Sequence, residues 1–270
     1  MTEINEREHW IESPGGRLYA KSWTPRDPRS TTPLILFHDS LGCVALWRQF
    51  PQLLTAALNR PVIAYDRLGF GRSDRRVDFL GRDFVAMEAE RSVPLLCGSL
   101  SINEFIACGH SVGGGMAVET GARFPRQCKG VITIAAQAFV EERTLAGIRA
   151  AEKEFESSDS MSRLAKYHGD KAEWVLHAWV DTWQTPEFAD WSLDAALGRL
   201  HCPQLAIHGE HDEFGSLAHP RRIAGTHGEC RILPGVGHTP HRECPALLVD
   251  VIESWLASSN AASASISAEC

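Results

Sequence analysis

"IACGHSVGGGM", residues 106–116, sets a serine among glycines directly after a short apolar run. A strand that ends here and turns sharply into a helix needs neighbours without side chains at the turn, and Gly109 and Gly113 supply them. The pentapeptide "GHSVG" at 109–113 fits G-x-S-x-G, which presents a serine hydroxyl on such a turn. The unpaired N–H groups of the following helix favour negative charge developing beside Ser111. Five residues with three fixed also occur in plain structural turns, so the rest of the chain has to decide. Two other glycine motifs are excluded. No lysine follows the glycines as a phosphate-binding loop requires, and G-x-G-x-x-G spacing is missing.

A serine nucleophile needs a base, and the base needs an orienting carboxylate. The order expected behind this kind of turn is serine, acid, histidine. "LAIHGEHDEFG" ends an apolar run and offers Asp212, with Glu210 and Glu213 as rivals; "ILPGVGHTPHRE" ends another and offers His238, with His241 as rival. Each candidate falls just past a buried run, where side chains from separate strands converge on one sheet edge.

Working outward, "HWIESPGGRLYAKSW" reads as two strands around a Ser-Pro-Gly-Gly turn. "TPLILFHDS", "RPVIAYDRLGFGRSD", "NEFIACGHS" and "KGVITIAA" read as buried strands, and "ALWRQFPQLLTAAL" and "SVGGGMAVETGARF" as helices. Residues 79–100 are predicted helical, with Pro94 and Gly98 making the later part irregular. After Ala136 the strand texture stops. Residues 137–196 carry helix formers, charges and Trp174, Trp179, Trp183 and Trp191; strands then return, followed by the helix "PALLVDVIESWLA". The alternation predicts an α/β fold with a mostly parallel central sheet flanked by helices. The expected organisation is a core of 1–136 and 197–258, a helical cap of 137–196 inserted after the fourth buried strand, and a flexible tail of 259–270.

The chain has 270 residues and a net charge of −7, with no basic stretch to offset the acid, so no nucleic-acid partner is expected. No apolar run reaches membrane-spanning length, and the charged start "MTEINEREHW" lacks the apolar core of a secretory signal. Eight scattered cysteines without a C-x-x-C pair suit a reducing compartment. The expectation is a cytoplasmic protein without membrane association, monomeric or homodimeric.

With these motifs assembled, the chain resembles the α/β-hydrolase superfamily over roughly residues 8–258. "LILFHDSLGCVALW" resembles its strand and oxyanion loop, and "VIAYDRLGFGRSD" its D-x-x-G-x-G-x-S loop. "CGHSVGG" resembles the elbow, "PQLAIHGEHD" the acid strand and "LPGVGHTPHRECP" the histidine loop. By position the resemblance implies Ser111 as nucleophile, Asp212 as orienting acid and His238 as general base, with the N–H groups of Val112 and Ser40 as oxyanion donors. Asp39 departs from the glycine usual at its position and puts a carboxylate beside the oxyanion site unless its side chain turns away. "DSLG" resembles the Asn-Ser-Leu-Gly of enol-lactonases.

The resemblance thus implies a serine hydrolase acting without cofactor on a small or medium ester or lactone through an acyl-serine intermediate. Amidase, thioesterase or carbon–carbon hydrolase chemistry would use the same triad, and a slow-turnover ligand receptor would keep it. Leu41, Trp47, Phe139, Trp179 and Trp183 are the expected substrate-lining residues. His208, His211, Asp212, His238 and His241 are metal-ligand types, but H-E-x-x-H is missing and no metal is expected. In "DRLGFGRSD", Arg67 or Arg72 is expected to satisfy neighbouring carboxylates.

Overall fold

The computed structural model describes the backbone of residues 3–268 and the side chains of residues 3–259. A hairpin of β1 (Ile4–Ile11) and β2 (Leu18–Pro25) opens the chain. β3 (Leu34–Phe37), α1 (Phe50–Leu58), β4 (Val62–Tyr65), α2 (Phe84–Ser99), β5 (Phe105–His110), α3 (Val112–Arg123) and β6 (Cys128–Ile134) then alternate. The eight strands form one sheet in the order β1-β2-β4-β3-β5-β6-β7-β8, where β7 is Gln204–Gly209 and β8 is Glu229–Leu233. The β1–β2 and β2–β4 pairings are antiparallel, and the others are parallel. Strands β3 to β6 are mostly apolar and, but for Lys129 of β6, buried on both faces, as parallel strands covered by helices on each side must be.

From β3 the chain passes to β4 on one side and later returns to β5 on the other. This reversal opens a crevice at the C-terminal ends of β3 and β5, the place where open parallel sheets bind ligands. Four helices, α4 (Glu142–Phe155), α5 (Ser158–His168), α6 (Ala172–Gln184) and α7 (Asp194–Leu197), lie between β6 and β7. α8 (Ala218–Ala224) separates β7 from β8, and α9 (Pro240–Glu243) and α10 (Pro245–Ala268) close the chain.

Two local expectations change. α2 starts at Phe84 instead of near Phe79, whose ring is 76% exposed, and it runs unbroken through Pro94. The proline forfeits one backbone bond, and the burial of Val93 and Leu96 against the core holds the helix together across it. The backbone of α10 continues to Ala268, so helix extends into the stretch expected as a tail; its side chains from 260 and its last two residues lie outside the described residues. Among the described residues, no helix is long and apolar enough to cross a membrane.

Candidate active site

The loops after β3, β5, β7 and β8 meet at one edge of the sheet. Ser111 joins β5 to α3 with φ 54° and ψ −129°, a conformation costly for a residue with a side chain. The turn is as tight as the motif requires. A Cβ on Gly109 would strike the backbone of Gly113, and one on Gly113 would strike the carbonyl oxygens of Phe37 and His38. Gly113→Ala is therefore expected to destabilise the fold by about 3 kcal/mol or more, because backbone and not a flexible side chain must move aside. Chemical denaturation checks this, and a wild-type midpoint would contradict it.

Asp212, three residues past β7, is fully buried. Its Oδ1 accepts the N–H groups of Phe214 at 2.7 Å and Gly215 at 3.1 Å. Nδ1 of His238, on the loop after β8, lies 2.9 Å from both carboxylate oxygens. Burial alone would raise the Asp212 pKa, but the hydrogen bond and charge of His238 bring it below the ordinary carboxylate value. Burial in turn would lower that of His238, and the Asp212 hydrogen bond and charge more than offset this, leaving it raised. His208 Nε2 also reaches Asp212 Oδ2, at 3.2 Å. The rivals lie elsewhere. Glu210 accepts the Gly235 N–H, Glu213 is exposed, and His241 is buried against Trp47 and Phe50.

Ser111 and His238 line one cavity of about 310 Å³. The Ser111 hydroxyl donates to Oε1 of the buried Gln137 at 3.3 Å and not to His238. Among the described residues, the N–H groups of Ser40 and Val112 have no acceptor within the chain, and both residues stand beside Ser111 at this edge.

Both oxygens of the Asp39 carboxylate have partners of their own. Its Oδ1 accepts the Leu41 N–H at 2.9 Å, and its Oδ2 lies 3.2 Å from Nδ1 of His110. Beneath it, Asp66 accepts the N–H groups of Val44 at 2.6 Å and Arg72 at 2.7 Å, and burial pushes its pKa up to about 6. Of the two loop arginines, Arg72 meets a carboxylate, that of Glu8 at 2.6 Å. Arg67 instead donates to the Asp39 carbonyl oxygen at 2.8 Å and lies over the Phe70 ring.

The expected lining is partly corrected. Leu41, Trp179 and Trp183 border the cavity, whereas Trp47 and Phe139 do not. Trp47 points into the core on the other side, 5.8 Å from the Phe50 ring and 4.9 Å from His241. Phe139 packs on His219 at 4.4 Å, and its backbone bridges Ser192. Residues that sequence reasoning passed over, among them Gln137, Ile148, Leu164 and Phe214, complete the wall. Gln137 lies just past β6, which ends at Ile134, a position at the sheet edge that could have drawn notice.

Two groups of contacts tie the helices between β6 and β7 to the loops around the cavity. At the start, Arg143 donates to the Asp212 carbonyl oxygen, Thr144 donates to that of Phe214 at 2.7 Å, and Glu141 accepts from Ser216 and faces His219. Further on, His168 accepts the Gly71 N–H at 2.9 Å and reaches the Leu41 carbonyl oxygen at 3.0 Å, while Lys171 donates to the carbonyls of Gly71 and Ser73.

A sequence profile of the alpha/beta hydrolase family matches residues 34–251. The 1-acylglycerol-3-phosphate O-acyltransferase ABHD5 of Homo sapiens is 34% identical over 131 residues, 47% of this chain and 36% of that protein. The match therefore spans little more than a third of that relative's length. A monoacylglycerol lipase of Mycolicibacterium smegmatis is 25% identical over 291 residues, 96% of this chain and 99% of that protein. Among solved structures, the enol-lactonase from Burkholderia xenovorans LB400 has a TM-score of 0.69 at 20% identity, covering 92% of this chain and 100% of its own. The carboxylesterase CesB from Bacillus subtilis has a TM-score of 0.65 at 20% identity, covering 94% and 92%. At these identities the structural likeness speaks to the fold.

Proposed function

The chain belongs to the alpha/beta hydrolase family, and we propose that it is a serine hydrolase cleaving a small or medium carboxylic ester or lactone through an acyl-serine intermediate. The observation that carries this reading is the strained Ser111 at the head of α3, sharing a cavity with the Asp212–His238 pair. Ser111 Oγ attacks the carbonyl carbon as its proton passes to His238 Nε2. Asp212 holds the ring through Nδ1 and steadies the imidazolium that forms. The Ser40 and Val112 N–H groups take the oxyanion, a contribution of about 3–4 kcal/mol per donor. Collapse of the tetrahedral adduct expels the alkoxide, which His238 protonates. Water then attacks the acyl-serine, giving its proton to the same nitrogen, and the acid leaves. In a lactone the alkoxide and acid stay in one product.

Leu41, Ile148, Leu164, Trp179 and Trp183 give the cavity an apolar wall that suits a hydrocarbon acyl or ring portion. The helices α4–α7 serve as the cap that supplies most of it. A panel of short p-nitrophenyl esters and simple lactones under multiple-turnover conditions tests the reading. Sustained turnover with a hydroxyl-dependent burst is expected. A single stoichiometric event with tight product retention would instead favour a ligand receptor.

The acid limb of activity follows from His238. The base form is needed for attack, and the ring binds its proton more tightly than an ordinary histidine. For a neutral ester, kcat/KM should therefore climb with pH through a midpoint above the ordinary histidine value of about 6.5. A midpoint below that value would contradict the assignment of His238.

A further inference from the structure

Asp39 stands on the loop after β3, His110 ends β5, and His238 stands on the loop after β8. Three contacts string these loops together across Ser111. Asp39 Oδ1 accepts the Leu41 N–H at 2.9 Å, Asp39 Oδ2 lies 3.2 Å from His110 Nδ1, and His110 Nε2 lies 2.7 Å from the carbonyl oxygen of His238. A carbonyl has no hydrogen to give, so His110 Nε2 is the donor there. Its other nitrogen faces a carboxylate. Burial alone would favour the protonated acid at Asp39, but the hydrogen bond and charge of His110 hold its pKa well below the ordinary value. An ionised carboxylate also only accepts. Both ring nitrogens of His110 therefore face acceptors, and a proton on each would satisfy both.

The surroundings suit a buried ion pair. The His110 side chain is 2% exposed and that of Asp39 is 21% exposed. The His110 ring faces His241 at 4.6 Å, His238 at 5.0 Å and Trp47 at 6.3 Å, and Arg242 adds positive charge near Asp39. Burial, with the His110 charge behind it, keeps the pKa of His241 well below its ordinary value, so that ring is neutral.

We propose that Asp39 and His110 are a charged positioning pair that fixes the oxyanion loop relative to the His238 loop on the two sides of Ser111. The inference rests on the serine-hydrolase reading for its catalytic consequence. It also accounts for a carboxylate where the family usually has glycine. The Asp39 charge is matched by His110, and its free oxygen is occupied by the Leu41 N–H. The pair acts through Ser40, Leu41 and His238, so its loss displaces catalytic groups and leaves most of the cavity wall intact.

Asp39→Ala and His110→Ala are each expected to lower kcat about 10- to 100-fold, the scale of a misplaced catalytic group, with KM within about threefold. Asp39→Asn, which can accept from Leu41 and donate to His110, should recover most of that loss. The double alanine variant should be no slower than the slower single variant, because both cut one tie. Losses that multiply, losses confined to KM, or an Asn variant no better than Ala would overturn the proposal.

Proton NMR of the wild-type protein with 15N-labelled histidine gives a readout independent of turnover. Two slowly exchanging His110 ring N–H signals are expected, assigned by their loss in His110→Gln or, if that variant does not fold, by the loss of one and the shift of the other in Asp39→Asn. One such signal in place of two would overturn the pair. Both signals in a wild type that neither turns over esters nor reacts with a fluorophosphonate would overturn the hydrolase reading, and the catalytic role of the pair with it, while leaving the ion pair itself standing.

Discussion

Ser111→Ala should reduce kcat for a short p-nitrophenyl ester by about 10⁶-fold and abolish labelling by a fluorophosphonate probe. The size follows from how triad members act. Once the nucleophile is missing, the imidazole and its carboxylate have nothing to activate, so one substitution costs nearly as much as removing all three. What remains is the activity of a binding cavity with two oxyanion donors. The substitution should leave the fold intact, because the hydroxyl makes one long hydrogen bond, to Gln137 at 3.3 Å. Alanine also meets the positive φ of residue 111 no worse than serine does. A wild-type melting curve together with retained ester turnover would sink the assignment.

The second large effect is expected from Asp212→Asn, at about 10⁴-fold in kcat. The two oxygens of Asp212 are not equivalent. Oδ1 receives the Phe214 and Gly215 N–H groups, so the amide oxygen of an asparagine must sit there. Its NH2 then occupies the Oδ2 position, facing the His208 Nε2 hydrogen and His238 Nδ1. Donating to Nδ1 forces the His238 proton onto Nε2, the nitrogen that has to receive the proton of Ser111. The variant thus holds the wrong tautomer, and it sets its NH2 against the His208 Nε2 hydrogen where an acceptor stood. Its acid limb should also shift downward, since the carboxylate that raised the His238 pKa is missing. Activity within tenfold of wild type, with the limb unmoved, would rule out Asp212 as the orienting acid.

The skeleton of this site is legible in the chain, and its side-chain directions are not. Short apolar runs followed by glycine or aspartate locate the strand ends, and parallel strands send those ends to one edge; hence Ser111, Asp212 and His238 lie near one another. Lining is a different matter. Trp47 follows Leu41 by a few residues in the same segment, yet a 3₁₀ turn at 44–47 sends its ring into the core. Likewise Trp174 shares α6 with Trp179 and Trp183, but it packs on Phe70 while they border the cavity. Such choices are made by partners distant in sequence. Asp39 is the clearest instance. It reads as a liability until His110, 71 residues away, is set against it.

Two of the ties that hold the helices between β6 and β7 have a mechanical consequence. One clamps the segment at 141–144 to the loop after β7, and the other clamps it at 168–171 to the loop after β4. Between the clamps, residues 151–159 are mostly solvent-facing, and few of their side chains are anchored by burial. Local opening costs least where buried contacts are fewest. The span between α4 and α5, flanked by Phe155 and Ser160 of the cavity wall, is thus the place where the cover over the cavity should part at least cost.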